Sequence, residues 1–281
     1  MIRIITDSTC EAPPALLNHP IVTVVPLHVI FGQQSYRDNI DMTREQFWAH
    51  LPKSSVLPTT SQVTPAQFEV PFRAFTDGGD EIVAITISAK LSRTYESALV
   101  ARDTLPGAPI SVIDSASISV GLGLLVEKAV AMAEAGASRA EITAKIEQIK
   151  GQIGLLFTLQ TLEYLQRGGR IGKAQAFMGT LLQFKPLLSL TEGEVHPAVR
   201  VRSMGKALET MQDLLGQQIS ARGAAVHIGV THANSPEIAA EIAAALGKRF
   251  GTSHVFVCSL GPVIGTHVGP GTVGAAIYSG D

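Results

Sequence analysis

The chain has 281 residues, 46% of them hydrophobic and 16% charged, with a formal charge of -2. That length accommodates about two domains with a large buried core, and the composition excludes disorder of the chain as a whole. No long basic run invites nucleic acid, no stretch of about 18 apolar residues is available for a membrane span, and the apolar start before Asp7 is too short for a secretory signal, so a cytoplasmic, non-membrane-spanning protein is expected.

The first half alternates short β-rich runs with helical patterns. Residues 2–6, 22–31, 81–87 and 110–113 read as strands with helices between, which predicts a mainly parallel sheet covered on both faces. Helix starts are marked by capping boxes at Thr43 with Gln46, Thr64 with Gln67 and Ser138 with Glu141, and by Pro65 at a first helical position. After Ser138, the residues Ile142, Ile146 and Ile149 recur on one face. The run 154–158 is expected to be the last strand of the first domain, which sets a boundary near Phe157 and divides the chain into 1–157 and 158–281.

The second half has a different rhythm. Residues 187–190 and 194–199 predict a hairpin around Glu192-Gly193, followed by a helix carrying Ala207, Leu208, Met211, Leu214 and Leu215. A strand over 226–230, a helix opened by Ser235-Pro236 with Ile238, Ile242 and Leu246 on one face, and strands at 254–258 and 273–278 complete an α/β domain with a mixed sheet. No internal repeat is present. Cys10 and Cys258 lack metal-ligand spacing and are expected to be buried thiols, and no metal or cofactor is expected.

Few residues are placed for chemistry. The segment GPVIGTHVGPG at 261–271 sets Thr266 and His267 among glycine and proline, which predicts a shaped loop whose N–H groups and imidazole approach a ligand, against the plainer reading of a tight turn. Ser92, Arg93 and Thr94 follow a predicted strand and precede a helix, a position that favours anions, although either hydroxyl can equally be a helix cap. Thr60 and Ser61 lie in a second connection just before a helix. Arg170, after Gly168-Gly169, is placed to reach phosphate oxygens, with Arg202 in the VRVRS segment and Arg200 beside it, or these are simply solvated arginines. Asp7-Ser8 and Asp114-Ser115 end predicted strands, where capping is favoured over general-base work. There is no P-loop and no GxSxG elbow.

Several strings together resemble the DegV family: TDST at 6–9, TSQ at 60–62, LSRTYESA at 91–98, IDSASIS at 113–119, TLEYLQRGGRIGK at 161–173, Lys185-Pro186 and the 261–271 segment. The resemblance implies a two-domain α/β protein that binds a long-chain fatty acid in an apolar tunnel and presents it, without turnover of its own, to a separate ATP-dependent fatty acid kinase for acyl-phosphate formation and phospholipid synthesis. It implies that Thr60, Ser92 and His267 hold the carboxylate, with Ser61, Arg93, Thr94 and Thr266 beside them, and that Arg170 and Arg202 face the kinase or its phosphate. Arg93 stands where the family usually has a small residue, and Val63 where it usually has proline. The rival expectation is a stand-alone phosphotransferase or hydrolase for a small anion, using Asp7, Asp114 and His267.

Overall fold

The protein is described from a computed structural model covering residues 1–179, 184–219 and 225–280. In chain order its first half holds β1 (Ile2–Asp7), α1 (Pro14–Leu17), β2 (Val22–Val25), β3 (His28–Phe31), β4 (Gln34–Arg37), α2 (Arg44–His50), β5 (Thr59–Ser61), α3 (Pro65–Asp77), β6 (Glu81–Thr86), α4 (Thr94–Asp103), β7 (Ile110–Asp114), α5 (Ser119–Glu134) and α6 (Arg139–Ile149). There follow β8 (Gly154–Thr158), α7 (Glu163–Arg167), β9 (Lys185–Thr191), β10 (Glu194–Val201), α8 (Met204–Gln217), β11 (Val226–His232), α9 (Pro236–Phe250), β12 (Val255–Ser259), α10 (Pro262–Val268) and β13 (Val273–Ser279).

Strands β2-β1-β6-β7 form a parallel sheet in that order, with Ile4 beside both Val22 and Val83. Both faces are covered, which explains the unbroken apolar runs in β1 and β6. Alternate residues part to opposite sides: Ile5, Ile82 and Ala84 pack with Phe68, Phe72 and Ala98 of α3 and α4, whereas Ile4, Val83 and Ile85 pack with Val126, Ile142 and Ile146 of α5 and α6. The three capping boxes form as the sequence predicts, each with reciprocal side-chain and backbone bonds.

The second sheet runs β10-β9-β8-β13-β11-β12, with only the β11–β12 pair parallel. Its outer face carries Leu156, Ile228, Val230 and Ile277 against Met211 and Leu215 of α8 and Ile242 and Leu246 of α9. The inner face shares one continuous core with the first sheet through α5, which packs on β1 and β6 on one side and on β11 and β13 on the other. The predicted hairpin is present, its turn made by Glu192 and Gly193 at φ +50° and +78°, the left-handed pair that a two-residue connection needs.

Three expectations are corrected. The run 22–31 is not one strand: Pro26 has no N–H to give a ladder, and the chain leaves the parallel sheet there to place β3 in a separate antiparallel sheet, β4-β3-β5. Residues 154–158 pair with β13 and β9, so β8 is an inner strand of the second sheet and not the last of the first. Segment 261–271 is not a loop, because Gly261-Pro262 and Gly269-Pro270 act as the boundaries of a short helix, with Pro262 at its first position and Gly269 at φ +72° past its end.

Candidate functional site

The carboxyl ends of the parallel strands open into a cavity. Thr9 beyond β1, Ile87 beyond β6, Ser92 before α4 and Ser119-Val120 at the start of α5 form one wall, and Phe157, Leu190, Thr231 and Gly274 of the second sheet form the facing wall. From β1 the chain passes outward to β2 and later returns on the other side to β6 and β7. Such a reversal of strand order leaves a crevice where ligands bind in α/β sheets. The remaining side is closed by Ile264, His267 and Val268 of α10 and by Thr60 and Ser61 of β5. Ser61 is exposed and Thr60 half-buried, so this end meets solvent.

His267 lies on the last turn of α10, and its Nε2 is 2.8 Å from the Thr60 Oγ1, a contact that joins residues 207 apart in sequence. Its Nδ1 is shielded from solvent and has no hydrogen-bond partner. A Cβ on Gly168 would overlap that nitrogen, so only glycine leaves room for the ring. Burial, and then the nearby positive charge of Arg170, hold the imidazole down to about 4, so the ring is neutral at pH 7. Arg170 lines the same cavity and is fixed by Nε donating to the Leu91 carbonyl at 3.1 Å and Nη1 donating to the Gly168 carbonyl at 2.6 Å. The glycine pair before it therefore orders the turn that carries the guanidinium.

Ser92 is held in a turn by its N–H donating to the Ser88 carbonyl, and its Oγ lies 2.9 Å from the Thr94 Oγ1 and accepts from the Thr94 N–H at 3.3 Å. Thr94 is fully buried behind Ser92 and is not on the cavity wall. Arg93 occupies the cap position of α4, is exposed and also lies off the wall. Thr266 is buried with its hydroxyl donating to the Pro262 carbonyl at 2.9 Å, turned away from the cavity into its own helix. The structure thus brings together Thr60, Ser61, Ser92, His267 and Arg170, and leaves Arg93, Thr94 and Thr266 outside the lining. Arg202 is exposed after β10 and away from the cavity, and the neighbouring Arg200 donates to the Ala176 carbonyl and stacks on Phe177.

Neither Asp7 nor Asp114 reaches the cavity. Asp7 is buried and accepts from the Thr9 N–H and hydroxyl and from the Ile87 N–H, tying the ends of β1 and β6 together, while burial pushes its carboxyl up. Asp114 accepts from the Ala89 and Ala116 N–H groups. Both aspartates shape turns, and neither caps a helix. The catalytic trio of the rival reading is not assembled.

Sequence reasoning missed a buried acidic pair behind α10. The Glu11 carboxylate accepts from the Gly261 N–H at 2.7 Å and from Arg44 at 2.6 Å, and the Asp38 carboxylate accepts from Ser8 at 2.7 Å and from the Val263 N–H at 3.3 Å. Burial lifts both to about 7. Their bonds anchor the start of the helix whose end carries His267. Also missed are Gln62, Thr9, Ser119 and Thr231 on the wall. Among the described residues no group of three or more His, Cys, Asp or Glu could hold a metal ion, and no helix is long and apolar enough to cross a membrane.

The comparisons with known proteins agree over the full chain. A DegV domain-containing protein of Streptomyces coelicolor is 35% identical over 280 residues, covering 99% of this chain and 98% of the relative. A solved structure from Thermus thermophilus, described as fatty acid binding of a DegV family protein, superposes with a TM-score of 0.90 at 35% identity and covers 99% of both chains. A stearic acid-binding protein of Eubacterium ventriosum gives a TM-score of 0.89 at 27% identity, covering 99% of this chain and 98% of that one. The family model described as uncharacterised protein, DegV family, matches residues 1–280, and with the sheet order, the cavity and these relatives in agreement, the chain belongs to the DegV family.

Proposed function

We propose that the cavity holds one long-chain fatty acid, with its acyl chain among Ile87, Phe157, Leu190, Val195 and Ile264 and its carboxylate at the Thr60, Ser92 and His267 end. The observation that carries this is the pairing of Thr60 with a neutral His267 at the solvent-facing end of an otherwise largely apolar cavity. With the imidazole proton on Nε2, the ring donates to the Thr60 Oγ1 and frees the Thr60 O–H to donate to a carboxylate. Ser92 supplies a second hydroxyl and Arg170 the compensating charge. Burying about fifteen methylenes at about 0.8 kcal/mol each contributes on the order of 10 kcal/mol, against about 1 kcal/mol for each hydrogen bond. Chain length therefore sets affinity, and the polar end selects an acid over an alcohol. Relatives that bind fatty acids support the same reading.

The chain acts as a carrier without turnover. It offers the bound carboxylate to a separate ATP-dependent kinase, with Arg170 at the ligand and exposed Arg202 on the docking surface. The test is mass spectrometry of the organic extract of freshly purified protein. Near-equimolar fatty acid is expected; if none co-purifies and added stearic acid fails to bind, the reading is refuted. Coupled to the kinase, Arg202→Ala should slow acyl-phosphate formation while stearic acid binding persists, and an unchanged rate would remove Arg202 from the docking surface.

A further inference from the structure

The fatty-acid reading leaves one part of the wall unexplained. Ser119 and Thr231 line the cavity, each is only 5% exposed, and neither hydroxyl has a hydrogen-bond partner. They come from different units of the fold and line the same cavity. Ser119 opens α5, with its N–H donating to the Thr9 carbonyl at 3.0 Å and its own carbonyl accepting from the Glu11 N–H at 3.3 Å. The next residue, Val120, lies so close to β11 that a Cβ on Gly229 would come within 2.6 Å of the Val120 Cβ. Thr231 is two residues further along that strand and so projects from the same face as Gly229. Two other hydroxyls on the wall are already engaged, Thr9 donating to Asp7 and Thr272 to the Val268 and Gly269 carbonyls.

Buried hydroxyls without partners are costly, because desolvation is not repaid. A saturated hydrocarbon chain passing them would leave both unsatisfied. A secondary alcohol on the chain has one proton to donate and lone pairs to accept with, so it supplies what these hydroxyls lack.

We propose that Ser119 and Thr231 form a second polar point that makes the cavity selective for a hydroxylated acyl chain. This rests on the fatty-acid reading and specifies its ligand. The test compares stearic acid with a series of monohydroxystearic acids whose hydroxyl is moved stepwise along the chain, measured by competition against a fluorescent fatty acid. One position, or two adjacent ones, should bind about tenfold tighter than stearic acid, as one or two net hydrogen bonds provide. In Thr231→Val, which keeps the side-chain shape, and in Ser119→Gly, which suits the positive φ of +58° at that residue, the ratio should fall to near one. A flat series in the unaltered protein, or a preference that survives both substitutions, overturns the proposal while stearic acid still binds. If neither stearic acid nor any hydroxy acid binds, the fatty-acid reading itself fails.

Discussion

Gly168→Ala tests whether the geometry around His267 governs ligand binding. Gly168 has φ -73° and ψ -9°, a helical conformation that alanine adopts freely, so the substitution carries no backbone strain and reduces the entropy of the unfolded chain. Its methyl group, however, would overlap the His267 Nδ1 and sit 3.1 Å from the Tyr164 carbonyl oxygen. The carbonyl belongs to the rigid turn of α7, so the ring gives way. To reach ordinary contact it moves by about an ångström, which lengthens the 2.8 Å bond to Thr60 beyond useful range. Losing the net contribution of the Nε2–Thr60 hydrogen bond costs about 1 kcal/mol, a factor of about 5 in affinity. Titrating the variant with stearic acid by calorimetry should show that loss, with the urea midpoint moving far less than for a core substitution. Stearic acid binding at the original affinity would refute the claim that the His267–Thr60 pair positions the carboxylate.

Thr60→Val combined with Ser92→Ala should lower affinity for stearic acid by about tenfold or more while leaving octadecanol binding within about twofold, since only the acid uses those donors; equal losses for both ligands would count against the head-group assignment. Glu11 and Asp38 are lifted from ordinary values of 4.5 and 3.8 to about 7. The folded state therefore holds their protons more tightly than the unfolded one, and stability should fall as pH rises from about 4.5 to 7. Glu11→Gln should flatten that fall in urea titrations, and superimposable profiles would show that Glu11 does not titrate there. His267 works in the opposite sense: its folded value of about 4 lies below the ordinary 6.5, so its contribution is present above about pH 6.5 and is lost as pH falls towards 4. His267→Gln should weaken that acid-side loss, and a loss of unchanged size would assign it to other groups. Arg170→Lys should weaken stearic acid binding, because an ammonium cannot reproduce the fork that bonds the Leu91 and Gly168 carbonyls, and wild-type affinity would place Arg170 outside the ligand site.

Local chemistry made much of the fold legible. The capping boxes, the apolar runs of β1 and β6 and the Glu192-Gly193 turn are decided within a few residues, so a single stretch of sequence reveals them. The errors arose where local signals allow two outcomes. Glycine and proline at both ends of 262–268 serve a loop or a helix equally well, and the choice was made by packing, with Gly265 lying under Phe47 and Trp48. The buried run 154–158 had the pattern of an inner strand, but which sheet it joins depends on β9, outside the run itself, and on β13, more than a hundred residues later in the chain. At the site, the motif strings pointed to Thr60, Ser92 and His267. Ser119 ends the 113–119 string without being marked out by it, and Thr231 and the Glu11–Asp38 pair carry no local signal, since the meaning of all four lies in contacts across the fold. Thr266 and Thr94 show the reverse case: close in sequence to the cavity-lining His267 and Ser92, they lie outside the lining.

The place of β13 between β8 and β11 fixes when the protein can first hold a ligand. During synthesis β8, β9 and β10 emerge as one antiparallel set and β11 with β12 as another, and only the last strand joins them. At about 5–20 residues per second the ribosome leaves the inner edges of β8 and β11 unpaired for several seconds, and Gly274 and Ala275 are missing from the cavity wall for all of that time. The nascent chain therefore has an incomplete cavity wall. It carries two open sheet edges, the kind of surface that recruits other chains, until the final strand is released and closes both at once.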